Sequence, residues 1–77
     1  GGNDMFTVWY FDADPIGHAP EHVVTTDSHG AVMEAVQDRF SWDLFPDYGP
    51  FCDKLAKGGS GFVWELPADS RLAVIIH

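Results

Sequence analysis

Three histidines, His18, His22 and His29, stand close to Asp12, Asp14, Glu21 and Asp27. Imidazole and carboxylate together suit zinc, iron or manganese, so a small metal-dependent hydrolase would be sought here, built on His18, His22 and the nearby aspartates. The spacing argues against it. His18 and His22 are four apart, but Pro20 lies between them and Pro15 and Gly17 precede them, which removes the single helix face that a zinc-protease motif requires. Asp12 and Asp14 lack the further oxygen ligands and closing Glu of a calcium loop. Solvated loop side chains are the simpler reading, and no metal or cofactor is expected.

Other candidate chemistry is equally thin. Cys52 stands alone beside Phe51, with Leu55 one turn on, where a partly buried structural cysteine fits better than a thiolate nucleophile. Ser28, Ser41, Ser60 and Ser70 fall in expected caps and turns. Glu65 could serve as an acid or base with Asp43, Asp47 or Asp53 only if these converged in a cleft. The run Gly58-Gly59-Ser60-Gly61 follows a helix and precedes a strand, the reverse of a phosphate loop, and lacks its Lys-Ser/Thr ending.

Charge carries more information. Up to Asp38 there are seven carboxylates and no lysine or arginine; from Arg39 onward five carboxylates face four cations, and the whole chain carries −8. Gly1 to Asp4 precede Met5 and read as a tag remnant, leaving 5–77 as one domain. Without Asp4 the first half still holds six acids and no cation. Such a surface repels phosphate backbones and attracts basic protein surfaces. The expected partner is therefore a protein with a basic, nucleic-acid-binding kind of surface, rather than nucleic acid itself.

The elements that must position these residues follow from periodicity. Met5 to Phe11, MFTVWYF, reads as a strand closed by the turn Asp12-Ala13-Asp14-Pro15. Phe6, Val8 and Tyr10 lie on one face and Met5, Trp9 and Phe11 on the other, so the strand is central or its second face is covered. Pro15, Gly17 and Pro20 make a loop, and His22 to Thr26 a short strand. Asp27 or Ser28 can cap a helix over about Ser28 to Phe40, with Val32, Met33, Val36 and Phe40 on one stripe; Asp27 is expected to be the cap. Glu34 and Asp38 form a like-charge pair on its outer face.

Five aromatics follow in twelve residues, Phe40, Trp42, Phe45, Tyr48 and Phe51. Pro50 suits the start of a second helix of about two turns, Lys54 and Lys57 its C-terminal end, and Gly58 a left-handed cap. Phe62 to Leu66 reads as a strand, Pro67 to Ser70 as a hairpin loop, and Arg71 to His77 as an interior strand. The fold class is α+β: a mostly antiparallel four-stranded sheet with one main helix packed on a face and a short second helix, in ββααββ order, β-grasp-like or related.

Seventy-seven residues suffice for one core, with 14% aromatic residues supplying much of the buried area. A lone cysteine excludes an intramolecular disulfide and points to a reducing, cytoplasmic setting. No apolar run approaches a membrane span, and the N-terminus lacks the features of a signal peptide.

The expectation is a non-enzymatic inhibitor or adaptor that binds a protein partner, as a monomer or homodimer. Its binding residues are Glu21, Glu34, Asp38, Asp43 and Asp47, with Trp42 and Tyr48 as aromatic anchors. A structural homodimer subunit, its aromatics covered by a second copy, is a further possibility. In size and acidity the chain resembles phage-encoded nucleic-acid mimics of the anti-CRISPR and anti-restriction kind. That likeness of composition implies that carboxylates imitate a phosphate backbone in a basic groove, and it transfers no residue role.

Overall fold

The computed structural model describes residues 5–13, 19–40 and 49–77. Four strands, β1 (Phe6–Phe11), β2 (Glu21–Thr26), β3 (Gly61–Glu65) and β4 (Arg71–Ile76), and two helices, α1 (His29–Arg39) and α2 (Gly49–Lys57), follow in the order ββααββ. The sheet order is β2-β1-β4-β3 and every pairing is antiparallel. The strands richest in apolar residues, β1 and β4, therefore lie in the middle, as their two apolar faces require.

Alternation along these strands decides which side is the core. Phe6 and Val8 of β1 and Leu72, Val74 and Ile76 of β4 are buried, and they meet Val32, Val36 and Phe40 from the α1 side and Phe51 and Leu55 from α2. Phe62 and Trp64 of β3 complete this side, each about perpendicular to the Phe51 ring at 5.4 and 5.5 Å. Edge-to-face aromatic packing of this kind adds to area burial in fixing α2 over the β3 half. Contact with β2 sets α1 over the other half.

Strand β2 breaks its alternation at a bulge. Val8 pairs with Val24 but Trp9 pairs with His22, so Val23 is the extra residue, and both Val23 and Val24 pack against the core. One inserted residue lets two consecutive valines face inward and returns Glu21 to the helix side.

The α1 cap is Ser28, whose Oγ accepts from Ala31 N at 3.3 Å, in place of the expected Asp27. At the end of α2, Gly58 has φ 79°, the left-handed cap that its position after Lys57 implies. Gly61 at φ 136° opens β3 so close to the Val74 carbonyl oxygen that a Cβ would overlap it. Between β3 and β4, the short helix η1 (Pro67–Asp69) closes on Ser70, whose hydroxyl donates to the Pro67 carbonyl at 2.9 Å.

Candidate acidic recognition face

Helix α1 buries Val32 and Val36 and leaves Glu34, Gln37, Asp38 and Arg39 exposed. This is the direct outcome of its spacing: the buried pair is four apart, and Glu34 and Asp38 are four apart on another face. Among the described residues neither Glu34 nor Asp38 pairs with a cation.

Arg39, in the last turn of α1, is already engaged. Its Nη2 and Nε donate to one oxygen of Glu21, at 2.6 and 3.1 Å. Its guanidinium lies 5.5 Å from the Tyr10 ring centre and 5.3 Å from that of Phe40. About half of each side chain of the ion pair remains exposed, so the pair itself contributes at most about 1 kcal/mol. The aromatic contacts add a further increment and fix where the guanidinium sits.

Two open clefts meet at this pair. One, of about 380 Å³, runs along the outer edge of β2 and is lined by Glu21, His22, Val23, Ala35, Asp38 and Arg39. The other, of about 230 Å³, is lined by Tyr10, Asp12, Ala19, Glu21 and Arg39. Around Arg39 stand three carboxylates, Glu21 and Asp38 with Asp12 beyond, so the described groove is net acidic.

Of the sequence-derived binding residues, the structure brings Glu21 and Asp38 to one cleft and exposes Glu34 on the same helix. Glu21 is taken by Arg39, so a partner would reach it only by exchanging that pair. Trp42, Asp43, Asp47 and Tyr48 lie outside the described residues, as do Asp14 and His18. Sequence reasoning missed Arg39, Tyr10 and Asp12 as parts of this face. The available signal was position: Arg39 is the first cation after the acidic run and ends the main helix.

The alternative chemistry does not assemble. His22 hydrogen-bonds to Thr25 Oγ1 at 2.7 Å and packs edge-on to Trp9, while His29 packs edge-on to Phe6. Among the described residues no three His, Cys, Asp or Glu side chains are placed to hold a metal ion. Glu65 lies on the sheet side away from Asp53, which is on α2, so these two do not form an acid–base pair. Cys52 is exposed rather than partly buried, because α2 turns Phe51 and Leu55 inward.

No family model, curated protein or solved structure matches the chain. No described helix is long and apolar enough to cross a membrane.

Proposed function

We propose that this chain is a small non-enzymatic binding module, an inhibitor or adaptor, that engages a basic protein surface through α1 and the adjoining edge of β2. The observation that carries the reading is the pair Glu34 and Asp38, exposed on α1 and, among the described residues, in no ion pair. A like-charge pair four residues apart costs an isolated helix roughly 0.2–0.5 kcal/mol, and a lysine or arginine brought by a partner removes that cost. Such complementarity raises the association rate and selects among partners more than it adds affinity.

A phosphate-backbone mimic is the sharper version, and spacing limits how far the described residues support it. Glu34 and Asp38 are about 6 Å apart along the helix axis, whereas each strand of duplex DNA carries a charge about every 3.4 Å. Asp43 and Asp47 would have to extend the array, as the anti-CRISPR and anti-restriction likeness would require. The β-grasp likeness rests on a main helix lying across a four-stranded sheet and adds nothing to the functional argument. A cytoplasmic setting rests on the lone Cys52.

The test is affinity capture from the native host with wild-type protein and with the Glu34→Lys/Asp38→Lys double variant. The reading expects a basic protein captured by the wild type and lost, at least tenfold, with the reversed charges. Equal capture by both would remove α1 from the interface.

A further inference from the structure

The side of the sheet away from the helices has no described element upon it, and its centre is apolar with polar residues around it. The register places His22, Trp9, Ala73 and Val63 side by side across the four strands, with Thr25, Thr7, Ile75 and Gly61 in the next row on one side. Phe11, Arg71 and Glu65 form the row on the other side. Val63 is 56% exposed and Ile75 41%. The polar groups at one corner satisfy one another: His22 to Thr25, Thr25 to Thr7 at 3.5 Å, and Thr7 to His77 at 3.1 Å. An apolar centre with a hydrogen-bonded border has the anatomy of a protein interface.

We infer that this face is covered by a second copy of the chain, packed sheet to sheet about a two-fold axis that runs along the strands between β1 and β4. Charge favours that occupant. Arg71 and Glu65 are cross-strand neighbours of opposite sign, so the strand residues of this face are formally neutral in a chain of −8. Two such faces meet without the repulsion that opposes any self-contact through the acidic helix side.

Shape favours the same axis. Trp9 and Ala73 are partners across β1 and β4, and rotation about a line between these strands sets Trp9 of each copy over Ala73 of the other. A large side chain then meets a small one twice, which is how facing sheets about 10 Å apart interdigitate.

Area sets the strength. Four strands about 4.8 Å apart, three of six residues and β3 of five, at about 3.4 Å per residue, present a face of roughly 400 Å². A standard stable interface buries about 800 Å² of accessible surface on each partner. The dimer is accordingly weak and concentration-dependent.

Sedimentation velocity of the full chain over a hundredfold concentration range tests this. The expected result is a monomer–dimer equilibrium in the wild type, weakened at least tenfold by Val63→Lys and by Ile75→Lys, and unchanged by Glu34→Lys/Asp38→Lys. Ala73→Trp closes the recess and should dissociate the dimer, while Trp9→Ala added to Ala73→Trp exchanges large and small and should restore it. Circular dichroism identifies any variant that fails to fold, and Val63→Lys, at the most exposed position, then decides. A wild type that stays monomeric throughout assigns the face to another occupant and overturns the inference, as does a dimer that survives Val63→Lys. The outcome is independent of whether α1 binds a basic partner.

Discussion

Arg39 is the residue on which the acidic face turns, because it alone among the described cations lies against Glu21, Tyr10 and Phe40. Replacing it with alanine removes an exposed ion pair and two ring contacts, with an expected loss of about 1 kcal/mol by urea unfolding. Gly61 is more exacting: a side chain there meets the Val74 backbone oxygen, at a φ that disfavours any Cβ. Gly61→Ala should cost roughly 2 kcal/mol or more, seen as a lower urea midpoint with the slope unchanged. At this scale the sequence was only partly legible. Asp27 and Ser28 are both good caps, and only the local backbone decides that the Ser28 hydroxyl reaches Ala31. The partner of Arg39 was out of reach because a glutamate eighteen positions earlier is brought beside it by tertiary packing.

At the scale of elements, apolar period together with turn and cap residues located the four strands and α1 to within a residue of their ends, whereas η1 was expected only as a hairpin loop. Strand β2 shows where periodicity stops: two adjacent valines cannot both face inward in a regular strand, and the bulge that permits it leaves no mark in the spacing. The order of the strands was likewise set by pairings between segments far apart in the chain. Helix α2 depends on Phe51, fully buried against Phe62 and Trp64. Phe51→Ala should cost roughly 3–5 kcal/mol, enough to unfold much of a domain this small at 37 °C. By contrast, Glu34→Lys alters an exposed position and relieves a like-charge neighbour. Thermal unfolding should show a small gain, a few tenths of a kcal/mol, with the far-ultraviolet spectrum unchanged.

The whole molecule has two unlike sides. Among the described residues, α1 presents Glu34 and Asp38 outside any ion pair on one, and the other carries the apolar centre Trp9, Ala73 and Val63 with exposed Ile75. Charge imbalance was visible in composition; its division between faces was not, because it depends on which residues of β1 and β4 turn away from the helices. Association with a basic partner should slow about tenfold or more as ionic strength rises from roughly 0.05 to 0.5 M, as measured by stopped-flow, whereas an apolar sheet contact should not weaken. The most direct measurement of the acidic face as the recognising surface is amide chemical-shift mapping of the labelled chain during titration with an arginine-rich peptide. The expected result is saturable shifts at Glu21 to Val23 and Glu34 to Arg39, abolished in Glu34→Lys/Asp38→Lys. Shifts centred instead on Trp9, Val63 and Ile75, or unaltered by the charge reversal, would contradict it.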